Sequence, residues 1–181
     1  YKNANINHIR TSHYPASEDL LDACDELGIY VEQETAVCFQ GYPSGTVSSR
    51  YEDYLPQFTE MIERDRNRPS ILIWSLGNES NYEKIKDQCG GNAIWDEKTY
   101  LKDVDISRPC IYSWPDTAPY EVADIYSQHY AYVEGTMGAW DRPVLHDEYA
   151  HISCYDLDEL QRDVNVRNFW GESVKKAWEN I

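Results

Sequence analysis

Residues 4–31 read ANINHIRTSHYPASEDLLDACDELGIYV, and the order of signals along them decides the fold. Residues 4–9 alternate as a short strand that runs into Arg10-Thr11-Ser12-His13-Tyr14-Pro15. Ser17 then stands as an N-cap, with Glu18 and Asp19 in the first turn, where the helix dipole favours acids. Leu20, Leu21, Cys24 and Leu27 follow at helical spacing. Gly28 suits the left-handed position that closes a helix. Ile29-Tyr30-Val31 begins a second strand at once, so the segment is a strand–helix–strand unit.

The same alternation continues outward. Residues 39–49, rich in Gly, Pro and Ser, read as a loop. Residues 51–66 read as a helix with Tyr54, Leu55, Phe58, Met61 and Ile62 on one face, and Pro69 prevents its continuation. Strands are expected at 71–74, 108–114, 122–126 and 144–147, a loop with a short helix at 81–91, and a helical piece at 96–103. Helices are expected at 157–166 and 172–178. Six largely apolar strands alternating with helices imply an α/β fold with a parallel sheet covered on both faces. No internal repeat or composition shift divides residues 1–181, so they read as one domain.

The chain has 181 residues, enough for one core but short of the ~250 of a complete (β/α)₈ barrel. Its formal net charge of -16 argues against nucleic acid and against an anionic membrane surface, both of which call for basic faces. There is no apolar run of the ~18 residues that a membrane span needs. Cys24, Cys38, Cys89, Cys110 and Cys154 are odd in number, irregular in spacing and without a CxxC. They read as reduced, small apolar residues, which implies neither a zinc site nor a disulfide framework and leans toward the cytoplasm. Fifteen Tyr and six Trp supply core, and in a sugar-binding protein some would also form platforms for sugar C–H faces.

Two strand ends carry chemistry. Ile71-Leu72-Ile73-Trp74-Ser75-Leu76-Gly77 delivers Asn78-Glu79, and Pro143-Val144-Leu145-His146-Asp147 delivers Glu148. A strand-end carboxylate often does no more than cap the next turn. Two of them at the tips of parallel strands are also what glycosyl transfer to water requires: one carboxyl protonates the leaving oxygen, and the other attacks or activates water. No GxGxxG or other Gly-rich phosphate loop follows any strand, which disfavours a nucleotide-binding α/β domain.

NANINHIRTSHYPASEDLLDACDELGIYVEQ, RDRNRPSILIWSLGNES and RPVLHDEYAH, in that order, resemble the catalytic domain of glycoside hydrolase family 2, the β-galactosidases, β-glucuronidases and β-mannosidases. The resemblance runs over about residues 3–152 and is weaker at 81–118. It implies a TIM barrel that is incomplete here, with about strands two to seven and their helices. Exposed edges on such a piece would favour marginal stability or a homo-oligomer that covers them. By the resemblance Glu79 is the general acid/base and Glu148 the nucleophile of a retaining exo-β-glycosidase. Asn78 reaches the sugar 2-hydroxyl, Arg10 holds the nucleophile, and Tyr130 touches it.

His13 in SHYP is either a sugar-site residue or a structural histidine, and Trp114 either lines the pocket or packs. His129, His146 and His151 are weaker candidates. In large β-galactosidases of the family, the loop after the third strand supplies Glu and His to a magnesium ion. The corresponding Glu34-Thr35-Ala36-Val37-Cys38-Phe39-Gln40 lacks that pair, so neither a metal nor another cofactor is expected. DEYAH and HYA lean toward galactose as the substrate sugar. β-Glucuronides, β-mannosides, or carbohydrate binding without turnover by a truncated barrel are the alternatives.

Overall fold

Six parallel strands pair strictly in chain order, β1-β2-β3-β4-β5-β6. They are β1 (His8–Arg10), β2 (Tyr30–Glu34), β3 (Ile71–Asn78), β4 (Cys110–Ser113), β5 (Ile125–His129) and β6 (Val144–Glu148). The helices between them are α1 (Glu18–Leu27), α2 (Leu55–Asp65), α3 (Tyr82–Gln88) and α4 (Ala93–Val104). This computed structural model describes residues 1–41, 46–89, 91–113, 122–129 and 142–148. The helices expected at 157–166 and 172–178 lie outside them, as do Trp114, Tyr130 and His151. No described helix is long and apolar enough to cross a membrane.

The sheet is strongly curled. In a flat sheet, five spacings of ~4.8 Å would put β1 about 24 Å from β6, beyond the reach of any side chain. Yet Arg10 on β1 donates to Glu148 on β6 at 2.7 Å. Side-chain alternation makes the curl a barrel wall. Ile73, Ile111 and Ile125, with Leu145 packed on them, form a small aliphatic cluster, one residue from each of four successive strands. Two residues further along the same strands stand Ser75, Ser113, Ser127 and Asp147. These are successive inward layers of a TIM-type interior. The opposite faces of the strands supply Val31, Trp74, Leu76 and Tyr112 to the larger core under the helices, with Leu21, Phe58, Ile62 and Ile94.

Local signals placed several elements as expected. Ser17 caps α1 by accepting from the Leu20 N–H at 3.3 Å, and Gly28 closes it at φ 65°. Several boundaries differ; α2, for one, begins at Leu55 behind a 3-10 turn at Tyr51–Asp53 rather than at 51, and β4 begins at Cys110 rather than at 108. Residues 2–4 form a 3-10 turn closed by Asn5 at φ 59°, so the first strand begins at His8 rather than at residue 4. Asn tolerates the left-handed region, which ends the alternation that residues 4–9 display. The fifth strand begins at Ile125 rather than 122, because the Asp124 side chain takes the Cys110 N–H at 2.9 Å and meets Lys98 at 2.5 Å. The third strand continues beyond Trp74 to Asn78.

That extension positions the site. Gly77 sits at φ +145°, where an added Cβ would come within 3.0 Å of the Val37 carbonyl oxygen. The loop after β2 thus lies directly on the strand: the Asn78 N–H donates to Val37 O at 2.7 Å, and the Phe39 N–H to Asn78 O at 3.1 Å. Gly77→Ala is expected to cost about 1–3 kcal/mol through the strained backbone and to displace Asn78 and Glu79. Denaturant unfolding together with turnover checks this. An unchanged midpoint and rate would refute the close packing.

Candidate active site

The C-terminal ends of β1, β2, β3, β5 and β6 converge on one cluster. At its centre is Arg10, whose side chain is 6% exposed. Its Nη1 donates to Glu148 Oε1 at 2.7 Å. Its Nη2 donates to Glu34 Oε2 and to Asn78 Oδ1, each at 2.6 Å, and its Nε donates to Glu34 Oε2 at 2.8 Å. Burial works against the guanidinium's charge, but Glu34, Glu32 and Asp147 outweigh it and hold the group protonated well above its ordinary range. A planar fork serving three acceptors is what arginine offers and lysine does not.

Glu79 is 8% exposed and sits at φ 40°, a left-handed conformation that is costly for a side-chain-bearing residue. Its N–H is tied to Ser113 O at 2.9 Å, which anchors the turn out of β3 to the end of β4. Oxygen atoms of Glu79 and Glu148 and a ring nitrogen of His129 all lie within 4.8 Å of one another. His13 Nδ1 is 2.9 Å from Glu34 Oε1, and its ring is partly open to solvent near Phe39. A cleft of about 740 Å³ opens onto the cluster, lined among others by Arg10, His13, Glu32, Asp147 and Glu148.

Arg10, Asn78, Glu79, Glu148 and His13 are thus brought together. Four further groups complete the network; the sequence reading left out Glu32 and Asp147, met Glu34 only in the stretch tested for a metal, and ranked His129 among weaker candidates. Glu34 accepts from Arg10 and from Ser75 Oγ at 3.0 Å, and His13 meets it on its other oxygen. Glu32 is fully buried, and among the described residues neither of its carboxylate oxygens has a hydrogen-bond partner. Burial, then the charge of Asp147, hold its carboxyl well above the usual carboxylate range. Its Oε1 lies 3.5 Å from Arg10 Nε. Asp147 accepts from Ser113 Oγ at 2.5 Å and from Ser127 Oγ at 2.7 Å. Although burial opposes its charge, bonds to His129 and Ser113 leave its carboxyl below the ordinary value. His129 stands between Glu79 and Asp147. The one available signal was the run of acids in Tyr30–Glu34 and Val144–Glu148, strands that otherwise belong to a buried sheet.

In the stretch 34–40, Glu34 at the end of β2 is the residue nearest a metal role, and its oxygens are engaged by Arg10, His13 and Ser75. Among the described residues, no group of three His, Cys, Asp or Glu side chains in that stretch comes close enough to share an ion. Cys38 instead receives the Asn78 Nδ2–H at 3.4 Å, which with the Arg10 contact fixes both ends of the Asn78 amide. Cys24, Cys38, Cys89 and Cys110 are free thiols.

Residues 1–165 match the family described as glycosyl hydrolases family 2, TIM barrel domain. The chain belongs to glycoside hydrolase family 2. Within the family it is 35% identical over 170 residues to a beta-galactosidase of Alteromonas mediterranea, covering 83% of this chain and 16% of that one. A beta-galactosidase of Lactococcus lactis is 36% identical over 172 residues, again with 83% and 16% covered. The chain thus spans about one sixth of the length of these relatives. Among solved structures, beta-glucuronidase 3 of Bacteroides uniformis superposes with a TM-score of 0.57 at 26% identity, over 70% of this chain and 16% of that one. A beta-D-glucuronidase of Dictyoglomus thermophilum gives a TM-score of 0.60 at 20% identity, over 91% and 36%, a likeness of fold.

Proposed function

We propose that the protein hydrolyses terminal β-galactosides with retention of configuration, Glu148 acting as nucleophile and Glu79 as general acid/base. The observation that carries this reading is that one carboxyl oxygen of Glu79 and one of Glu148 lie within 4.8 Å of each other. Retaining glycosidases hold theirs ~5–5.5 Å apart, whereas inverting enzymes leave ~6.5–9.5 Å for a water. Glu148, ionised and held by Arg10, attacks the anomeric carbon as Glu79 gives its proton to the departing oxygen. The sugar is then an ester of Glu148. Glu79, now a carboxylate, takes a proton from water as the water attacks the same carbon, and Glu148 leaves ionised. On this reading Asn78, its amide fixed by Arg10 and Cys38, supplies the contact to the sugar 2-hydroxyl that strengthens in the transition state.

Galactose follows from the names of the curated relatives at 33–39% identity. A β-glucuronidase is the second reading, favoured by the solved-structure neighbours at 26% identity. Nitrophenyl β-galactoside, β-glucuronide and β-mannoside, assayed with the full-length protein, separate the three. Preference for either of the latter two overturns the galactose assignment.

Glu79→Ala tests the acid/base assignment. Turnover of a substrate with a poor leaving group is expected to fall by about 10²–10⁴. With an activated dinitrophenyl substrate, added azide should restore turnover and yield a glycosyl azide, because an anion needs no base. An unresponsive variant, or one with ordinary activity, would remove Glu79 from this role.

A further inference from the structure

We infer that Glu34 is a positioning residue of this site: it holds the Arg10 guanidinium in place during the stage of turnover in which Glu148 carries no charge. This rests on the assignment of Glu148 as nucleophile. Glu34 is fully buried at the end of β2, and its Oε2 accepts from Arg10 Nε at 2.8 Å and from Nη2 at 2.6 Å. Ser75 Oγ on β3 donates to the same oxygen at 3.0 Å, and His13 Nδ1 lies 2.9 Å from Oε1. With that edge of the guanidinium occupied, Nη1 is turned to Glu148 Oε1 at 2.7 Å, and the other N–H of Nη2 to Asn78 Oδ1 at 2.6 Å.

An arginine does not give up its charge in a protein. A buried one therefore needs a counter-charge at every stage of turnover, because an uncompensated buried charge is strongly destabilising. In the free protein two carboxylates bonded to Arg10 supply it, Glu34 and Glu148. In the glycosyl-enzyme the Glu148 carboxylate has become an ester, and Nη1 meets at best an uncharged oxygen there. Glu34 takes no part in the covalent chemistry, so its two bonds persist through both steps. A carboxyl oxygen that takes two guanidinium N–H groups and a hydroxyl serves as the anion of a charge-assisted pair. The next acids make no hydrogen bond to the guanidinium: Glu32 Oε1 is 3.5 Å from Nε, and Asp147 Oδ2 is 4.0 Å from Nη1. Arg10 thus waits where the Glu148 carboxylate re-forms, and a donor already aimed at developing charge stabilises the transition state without reorganising. Without the Glu34 anion the guanidinium is drawn toward Asp147, which takes Nη1 off Glu148 and Nη2 off Asn78.

An activated dinitrophenyl substrate, whose first step needs no acid, makes the second step visible in kcat. In the full-length protein Glu34→Gln keeps the shape and removes the anion. Resting Glu148 still supplies a counter-charge, so the first step, read in kcat/KM, should change little. The second step should slow by roughly 10–100-fold, the order expected when a reacting group is misplaced by about 1 Å. Because the glycosyl-enzyme then accumulates, kcat and KM should fall together, and a burst of dinitrophenolate should precede slow turnover. Glu34→Asp, which keeps the charge one methylene short, should show the same paired fall to a smaller extent, and it decides the matter where Glu34→Gln does not fold. A loss in kcat/KM as large as that in kcat, or parent values of both, overturns the inference.

Two crystal structures read the same point without sugar chemistry. Glu148→Gln carries no charge at the end of β6, as the ester carries none. Arg10 should keep its bonds to Glu34 and Asn78 in that variant, and should turn toward Asp147 once Glu34→Gln is added to it. A guanidinium that stays in place in the double variant, or that already turns away in Glu148→Gln, overturns the inference even where the glycosidase reading stands. A parent that takes no label on Glu148 from an activated 2-fluoro sugar would instead sink the nucleophile assignment on which the inference rests.

Discussion

Glu148→Gln is expected to reduce hydrolysis on the order of 10⁶-fold, the scale seen when a covalent nucleophile is removed. The substitution changes one oxygen for an amide nitrogen, so the side chain still fills its place at the end of β6. What is lost is the anion that Arg10 holds at 2.7 Å and that forms the ester bond in the proposed mechanism. Two measurements check it: hydrolysis of the preferred nitrophenyl glycoside, and trapping by an activated 2-fluoro sugar with peptide mass mapping. The parent should carry the label on Glu148 and the variant should carry none. Turnover within a hundredfold of the parent, or a label on another residue, would remove Glu148 from the nucleophile role.

Arg10→Met is expected to give the largest loss of stability, about 3–5 kcal/mol, as follows when one partner of a buried ionic network is deleted. Methionine roughly fills the volume. It leaves Glu34 without the two nitrogens that donate to it, Glu148 and Asn78 without one each, and Asp147 without the cation 4.0 Å away. Arg10→Lys restores the charge without the fork and should recover only part of the loss. Equilibrium unfolding in denaturant measures both. A shift under about 1 kcal/mol for Arg10→Met, the scale of an exposed ion pair, would mean that the carboxylates relax into water when the cation leaves. The barrel would then be held by its apolar layers.

The helices were legible because their signals are local. Ser17, the spacing of Leu20, Leu21, Cys24 and Leu27, and Gly28 all act within a few residues of chain, and the structure places α1 where they put it. The site was half legible. Asn78, Glu79 and Glu148 end strands, and a strand end is visible as the limit of an apolar run. His129 and Asp147 were not singled out as a pair, since 18 residues separate them and neither stands in a distinctive local pattern. Glu32 was not singled out and Glu34 entered only in the stretch tested for a metal, yet both are fully buried. They point into the barrel, and only the curl of the sheet makes that interior.

The sequence by itself determined the elements, their parallel order and the two strand-end glutamates, because propensity, capping and periodicity act over one or two turns of chain. The resemblance implied that Arg10 holds Glu148; the tertiary structure shows how, by bringing β1 and β6, 138 residues apart there, together across a curled sheet. It also turned Glu32, Glu34 and Asp147 inward and set the buried ring of His129 between the carboxyl groups of Glu79 and Asp147. Those outcomes depend on the closure of the sheet and on burial of charge among charges, and both are properties of distance in space rather than of position along the chain.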